Sequence, residues 1–310
     1  FGLEYIEVDP WGFAPFPNGR YIMFYRDVDR TAESIARFSP RDAATYRDFM
    51  RRWMRFNETM MAVFCAPPTL SGMTGAVLRH ELAGGHWRSL FQESLTGPLD
   101  TARMLKTIFS PYGQVIRETF ESEEVRAALA WLGAQSGPSP DEPVSGELLA
   151  MQQSLYHLLG VRRPKGGSGM LTQALARCLE HFGGTVLVNQ AARQILLENG
   201  RVAGVETVTG DRYYAPLVVS NAHVQTTLLK LLPEDALRPG LKRRVENIKV
   251  ANGFGMTVRY GMDNLPNYTA LPSEVFAGKV QPGEQHRGMQ MLSPSMEYLE
   301  KTYAEAGAGR

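Results

Sequence analysis

The chain has 310 residues, of which 44% are hydrophobic and 21% are charged, and its formal net charge is +1. This composition is that of a globular protein with a sizeable core, and the near-neutral charge excludes a global attraction to nucleic acid or to an anionic membrane. No run reaches the roughly 18 apolar residues that a membrane-spanning helix requires, and no segment has the pattern of a secretory leader.

The two cysteines, Cys65 and Cys178, lie far apart in the sequence. They form neither a disulfide framework nor a thiolate metal motif, and two buried free thiols are typical of a reducing compartment. We therefore expect a cytoplasmic or other reducing location, and peripheral association with a membrane is compatible with the sequence. The chain starts at Phe1 inside a strand-like segment, which favours a piece of a longer protein.

The first 160 residues predict one β-hairpin followed by mainly helical structure. Aromatic and apolar residues alternate on both sides of Pro17-Asn18-Gly19, as in two strands joined by a tight turn. A long amphipathic helix then begins with Ser39 as its N-cap and Pro40 at its first position, and Pro67-Pro68 ends it. Further helices are predicted over 95–109, 122–134 and 147–159.

The long helix carries one apolar stripe, which comprises Tyr46, Phe49, Met50, Trp53, Phe56, Met60, Met61 and Phe64. Such a stripe is typical of a core-facing surface. The alternative is a pocket for a long apolar substrate, because methionine side chains adapt easily to a ligand.

Residues 161–223 change to an α/β pattern. A glycine-rich turn precedes a helix over 170–182, whose one face consists of Leu171, Ala174, Leu175, Cys178, Leu179 and Phe182. The segment 185–189 is predicted as a short buried strand. Two strands flanking Asn199-Gly200 form the strongest hairpin signal in the chain, and a third short strand follows Thr209-Gly210-Asp211. Residues 217–219, apolar without alternation, predict a strand covered on both faces.

Residues 224–310 predict a short helix, a strand over 251–262 and a C-terminal helix. In the strand, apolar side chains alternate with small or polar ones. Ser293 is the expected N-cap of the last helix, with Pro294 at its first position and Glu297 in its first turn, where the helix dipole favours an acid.

The run Gly166-Gly167-Ser168-Gly169 opens a helix, a place that suits an anion or a phosphate. The dinucleotide fingerprint G-x-G-x-x-G is not met, since Thr172 stands where the third glycine belongs and Asn189 replaces the acidic ribose ligand. A P-loop is excluded because no Gly-Lys-Ser/Thr follows. A tight turn and a ligand contact both remain open for this loop.

Catalytic side chains cannot be assigned from the sequence. The six histidines lack zinc-binding spacing, so no metal is expected, and no G-x-S-x-G elbow indicates a serine hydrolase. His223 follows the predicted strand 217–219, at a position where open α/β sheets bind ligands. It is a candidate contact, although most residues at such strand ends touch no ligand.

Several segments together resemble the phytoene desaturase-like group of the flavin amine oxidase superfamily. They are P-x-G-G at 164–167, an apolar helix, Gly183-Gly184, I-L-x-E-x-G-R-V-x-G-V at 195–205, and V-V-S-N-A at 218–222. The opening hairpin, FSPRDAATYRDFM and the tail SPSMEYLEKTYAEA resemble the branch of that group named pyridine nucleotide-disulfide oxidoreductase domain-containing protein 2. The resemblance covers nearly the whole chain.

The resemblance implies an α/β fold, α+β overall, with part of a Rossmann-like FAD domain and a substrate domain of antiparallel sheet and helices. Residues 1–160 would be the substrate or cap domain, 161–223 part of the FAD domain, and 224–310 a return to the substrate domain. It also implies hydride removal from an apolar, often isoprenoid, small molecule by FAD. The expected cofactor neighbours are Gly166, Gly167, Ala192, Ser220, Asn221 and Ala222.

The family's N-terminal G-x-G-x-x-G and its C-terminal flavin stretch are not found in this sequence. We therefore expect the full-length protein to be an FAD-dependent oxidoreductase, and this chain alone to bind FAD weakly or not at all and to be inactive. Two alternatives stay open. One is a non-catalytic, flavoprotein-like module that binds an apolar ligand or a protein partner. The other is an NAD(P)-dependent dehydrogenase that uses the Gly166 loop.

Overall fold

The computed structural model describes residues 1–83, 98–146, 151–248, 258 and 260–308. These residues belong to two compact units. The central unit comprises Phe1–Leu3 and Gly169–Gly253, and the flanking unit comprises Glu4–Ser168 and Phe254–Arg310. The domain limits predicted from the sequence, 161–223 and 224–310, differ from the limits of these two units. The functions assigned to the predicted domains stay predictions.

The described strands are short. In chain order they are β1 (Tyr5–Val8), β2 (Gly12–Pro15), β3 (Tyr21–Phe24), β4 (Val161–Pro164), β5 (Ala192–Glu198), β6 (Arg201–Thr207), β7 (Arg212–Tyr214), β8 (Val275–Phe276), β9 (Lys279–Val280) and β10 (Met289–Gln290). The described α-helices are α1 (Val28–Ala36), α2 (Pro40–Phe64), α3 (Leu70–Ala83), α4 (Pro98–Phe109), α5 (Tyr112–Thr119), α6 (Glu123–Ala134), α7 (Gln153–Leu159), α8 (Gly169–His181), α9 (Pro239–Glu246) and α10 (Met296–Gly307). The mixed α/β class expected from the sequence is confirmed.

In the flanking unit, the predicted N-terminal hairpin is confirmed as β2 and β3, which pair antiparallel. Its turn forms because Gly19 adopts a φ of +76° and the Asn18 side chain accepts a hydrogen bond from the Arg20 N–H. β10 adds to β2 in parallel, and β1 pairs with β4. The sheet therefore joins the beginning and the end of the chain.

The helices of the flanking unit pack around a core whose largest fully buried side chains include Trp11, Phe24, Tyr46, Tyr112, Ile116 and Leu129. The predicted start of α2 is confirmed, since the Ser39 hydroxyl accepts from the Asp42 N–H and Pro40 occupies the first position. Only the first part of the apolar stripe of α2 is buried in the core. Tyr46, Met50 and Trp53 are buried, whereas Phe64 is exposed.

The other predicted helix limits are confirmed in part. α4 and α6 match the helices expected near 95–109 and 122–134, while residues 95–97 and 147–150 lie outside the described ones. The last helix begins two residues later than predicted, because Ser295, rather than Ser293, caps it and accepts from the Tyr298 N–H. Glu297 lies in the first turn of that helix, as expected. The predicted strand over 251–262 falls largely outside the described residues.

In the central unit, β5, β6 and β7 form the predicted antiparallel meander. Asn199 and Gly200 have φ values of +53° and +73°, the two left-handed conformations that a type I′ hairpin turn requires. A π-helical turn, Thr226–Leu231, lies where a short helix was expected, and the Gln225 amide donates to the carbonyls of Val245 and Ile248 at the end of α9.

Two strand predictions are wrong in the described structure. Residues 185–189 and 217–219 have irregular backbone and pair with no described strand. Their apolar side chains were expected to be buried, yet Leu217 is 74% and Val219 is 86% exposed. A strand covered on both faces requires neighbouring strands, and among the described residues the sheet of this unit ends at β7.

Candidate functional site

The glycine-rich loop is a tight turn between β4 and α8. Gly166 and Gly167 both have left-handed φ values, +87° and +100°, which explains why glycine occupies these positions. The Gly167 N–H donates to the Pro164 carbonyl at 3.0 Å, so this backbone donor is already used within the turn. An added Cβ at Gly167 would meet no atom within 4 Å. The turn therefore faces open space at Gly167.

The predicted cofactor neighbours of the 218–222 segment form a second polar turn. The hydroxyls of Ser220 and Thr227 lie 2.8 Å apart, and the Ser220 Oγ also accepts from the Ala222 N–H. The ring of His223 accepts from the Gln225 N–H through Nδ1 at 3.2 Å. The structure thus places Ser220, Ala222 and His223 close to the start of the π-helical turn, in exposed positions next to Asn221.

Ala192 is the first residue of β5 and is also exposed. Close to it in the same sheet, the buried carboxylate of Glu206 pairs with two arginines: Arg212 Nε donates at 2.7 Å and Arg193 Nη1 lies at 3.2 Å. The two ion pairs satisfy a carboxylate that is largely removed from water. Ala192 and the 220–222 turn belong to the central unit, whereas Gly166 and Gly167 belong to the flanking unit.

The central unit exposes a set of large apolar side chains, which we call its apolar face. On α8, only Ala174 is buried, although spacing places it on one face with Leu175, Leu179 and Phe182. The exposed side chains of this apolar face are Leu171, Leu175, Leu179, Phe182, Val186, Leu187, Val188, Leu217 and Val219. The sequence predicted that residues 186–188 and 217–219 are buried, and the structure shows Val186, Leu187, Val188, Leu217 and Val219 exposed. Exposed apolar patches of this kind mark surfaces that contact a ligand or another polypeptide.

A buried polar pair in the flanking unit was missed by sequence reasoning. His157 Nδ1 lies 2.9 Å from the Arg26 carbonyl, and His157 Nε2 lies 2.7 Å from the Tyr46 hydroxyl. A carbonyl only accepts, so Nδ1 carries the proton and Nε2 accepts from the tyrosine. Burial lowers the pKa of His157 and raises that of Tyr46, which keeps both side chains neutral. Their sequence spacing gives no signal, because the partners come from α2 and α7.

The six predicted cofactor neighbours do not by themselves enclose a flavin. All six are exposed, and several of their polar groups are hydrogen-bonded within their own turns. A flavin site has to exclude water and hold the ring on both sides. These six residues supply backbone groups, the Ser220 hydroxyl and the Asn221 amide, and they do not form enclosing walls, so no chemical step through this cofactor follows from them.

The glycine turn before α8 and the β-meander are the described elements that the resemblance to the flavin amine oxidase superfamily predicted. Residues 6–267 match the family described as flavin containing amine oxidoreductase. The chain therefore belongs to the flavin containing amine oxidoreductase family, and the resemblance inferred from the sequence is confirmed.

Several curated relatives share this similarity. A pyridine nucleotide-disulfide oxidoreductase domain-containing protein 2 of Rattus norvegicus is 25% identical over 94% of this chain and 51% of the relative. A phytoene desaturase (neurosporene-forming) of Cereibacter sphaeroides is 25% identical over 88% of this chain and 51% of the relative. An all-trans-retinol 13,14-reductase of Homo sapiens is 29% identical over 49% of this chain and 27% of the relative. The chain spans about half the length of the first two relatives.

Proposed function

We propose that this chain is part of an FAD-dependent oxidoreductase of the dehydrogenase or desaturase type, which removes a hydride from an apolar substrate. The observation that carries the proposal is the family match over residues 6–267. The names of the matching relatives include phytoene, limonene and all-trans-retinol. These molecules are isoprenoids, so isoprenoids are the substrate class to test first.

The apolar face of the central unit supports a second part of the proposal, that the cofactor site is incomplete in this chain alone. Residues 186–188 and 217–219 have the composition of covered strands, and here they are exposed. Relatives about twice as long would have further chain to cover such a face. In the longer protein, Gly166, Gly167, Ala192, Ser220, Asn221 and Ala222 would then line a water-excluding FAD site.

Co-purification of flavin tests this function. We expect the longer natural protein to be isolated with about one flavin per chain, visible by its absorbance, and the 310-residue chain to be isolated without it. Stoichiometric flavin on the 310-residue chain would contradict the incomplete-site proposal. A longer protein that neither retains nor binds added FAD would overturn the oxidoreductase proposal.

The competing function is a non-catalytic module that binds an apolar ligand or a protein partner. The exposure of all six candidate residues favours it, since a working cofactor site excludes water. The two functions are distinguished by anaerobic mixing of the flavin-loaded longer protein with candidate isoprenoids. Bleaching of the flavin absorbance supports hydride removal, whereas ligand binding without bleaching supports the module. Titration with NADH, followed by its fluorescence, tests direct nucleotide binding by the Gly166 loop.

A further inference from the structure

Asn-Gly pairs are places in a polypeptide where a backbone amide reacts with a neighbouring side chain. The glycine nitrogen attacks the side-chain carbonyl of the asparagine and displaces ammonia, and glycine favours this attack because it has no Cβ in the way. The sequence contains Asn18-Gly19, Asn199-Gly200 and a third pair at 252–253, which lies outside the described residues. Both described pairs form the turns of β-hairpins, so their reactivity depends on how firmly each turn is held.

In the Asn18-Gly19 turn, each reacting group is held by a hydrogen bond. Asn18 Nδ2 donates to Glu124 Oε1 at 2.9 Å, and Asn18 Oδ1 accepts from the Arg20 N–H at 3.1 Å. The Gly19 N–H, whose nitrogen is the nucleophile, donates to the Phe16 carbonyl at 3.1 Å. Attack on the Asn18 side chain therefore requires these contacts to break first.

The Asn199-Gly200 turn is much less restrained. Among the described residues, no group donates to or accepts from the Asn199 side chain, and the Gly200 N–H has no acceptor. Both residues are exposed, and an added Cβ at Gly200 would meet no atom within 4 Å. The nucleophile and the side chain that it attacks are therefore both free to move.

The end of this hairpin is separated from the rest of the β-meander by an irregular pairing. The register of β5 and β6 shifts between Leu196 and Leu197, so only two residue pairs lie between that shift and the turn. A short segment beyond an interruption in a ladder opens at a lower free energy than the centre of a sheet. Opening releases Asn199 from its left-handed φ of +53°, and its side chain can then reach the Gly200 nitrogen.

We propose that Asn199 is a site of spontaneous deamidation and that the fold protects Asn18 from the same reaction. The Gly200 nitrogen forms a bond to Asn199 Cγ, the bond from Cγ to Nδ2 breaks, and Nδ2 leaves as ammonia with the proton of the Gly200 amide. Water then opens the cyclic imide at either carbonyl, which gives aspartate or isoaspartate with no change of oxidation state. The proposal goes beyond the proposed flavin function, and its tests require no flavin.

The two products affect the hairpin differently. Aspartate keeps the normal backbone and adds a negative charge next to Glu198. Isoaspartate carries the backbone through the side chain, which inserts an additional carbon into a turn whose length and left-handed geometry set the strand register. The pairing of Glu198 with Arg201 is then lost. Deamidation at Asn199 thus makes the stability of the central unit decline as the protein ages.

Peptide mapping of the full 310-residue chain tests the proposal, because trypsin places the two sites on different peptides, 1–20 and 194–201. The folded chain is incubated at mildly alkaline pH, the change from amide to carboxyl is followed by mass, and isoaspartate is detected with an isoaspartate-specific methyltransferase. We expect Asn199 to react at least about tenfold faster than Asn18, since several hydrogen bonds hold the Asn18 turn. Equal rates, or a faster reaction at Asn18, overturn the proposal.

The same incubation in urea removes the structural difference between the two pairs. The unfolded chain presents each asparagine next to a glycine without tertiary contacts, so we expect similar rates at Asn18 and Asn199. A difference that persists in urea overturns the proposal, because the local sequence would then set it. An Asn199 that reacts in urea but not in the folded chain overturns it as well.

Two variants test the separate parts of the proposal. E124A removes the acceptor of Asn18 Nδ2 and should raise the rate at Asn18 about fivefold, with the rate at Asn199 as the internal control. An unchanged rate at Asn18 contradicts its protection by this contact. N199D carries the charge of the aspartate product on a normal backbone, so freshly prepared N199D should unfold thermally as the parent chain does. A parent chain aged to isoaspartate that also unfolds as the fresh chain does contradicts the loss of strand pairing.

Discussion

At the residue scale, the buried pair His157 and Tyr46 makes the stability of the flanking unit depend on pH. Burial lowers the folded pKa of His157 below the ordinary 6.5, so the unfolded chain takes up this proton at a higher pH than the folded chain. The neutral imidazole therefore makes its full contribution to the stability of the folded chain above about pH 6.5. This contribution is lost as the pH falls towards the lowered pKa of His157, by up to about 1.4 kcal/mol per pH unit.

Urea unfolding at a series of pH values measures this dependence. We expect the slope of stability against pH between 5 and 6.5, the ordinary His value, to decrease in H157Q. The variant H223Q, which removes an exposed imidazole, is measured alongside as a control for the substitution itself. An unchanged slope in H157Q would show that the imidazole at this position does not titrate differently in the folded state.

Asp42 is a second residue on which the flanking unit depends. Its buried carboxylate accepts from the backbone N–H groups of Glu121 and Ser122 at 2.9 and 2.8 Å, which fixes the link between α5 and α6 against the start of α2. D42A leaves both donors without that acceptor, and we expect unfolding free energy to fall by about 2–4 kcal/mol. D48A, at an exposed position on the same helix, should change it by less than about 0.5 kcal/mol. Chemical denaturation of both variants provides the comparison.

At the element scale, the hairpin between β5 and β6 depends on the left-handed backbone of Gly200. G200A places a Cβ at a φ of +73° and should destabilise the central unit by about 1–2 kcal/mol. G240A, in α9 of the same unit, meets no atom within 4 Å and should be neutral or stabilising by up to about 1 kcal/mol. Thermal unfolding of G200A and G240A measures both changes in stability. Equal changes would contradict the role of Gly200 in supplying the left-handed backbone of the turn.

The elements that sequence reasoning predicted well are those whose signals are local. The Ser39 cap, the Asn199-Gly200 turn and the meander each depend on a few adjacent residues. The strands expected at 185–189 and 217–219 depend on neighbours elsewhere in the chain, and apolar composition alone does not supply a pairing partner. The same limit applies to the site, because a cofactor pocket requires enclosing walls that local patterns do not encode. The assignment of Gly166, Ala192 and Ser220 to such a pocket therefore stays a prediction.

At the scale of the whole molecule, the apolar face of the central unit behaves as a surface in this chain. L175Q changes a side chain that spacing assigns to a core face but that is 62% exposed, so we expect less than about 0.5 kcal/mol of destabilisation. I195Q, at a buried position of β5, should destabilise by about 2–4 kcal/mol. Urea unfolding measures both. In a longer natural protein that covers this face, L175Q should instead become destabilising.

The pairing of β2 with β10 has a consequence for synthesis. Gly12 lies opposite Met289 in this ladder, so the hairpin of β2 and β3 is synthesised long before the strand that covers its outer edge. The central unit, translated in between, has all of its β-meander partners available earlier. Nascent chains halted before residue 289 would therefore present an unpaired edge to chaperones, and release of β10 from the ribosome would close it.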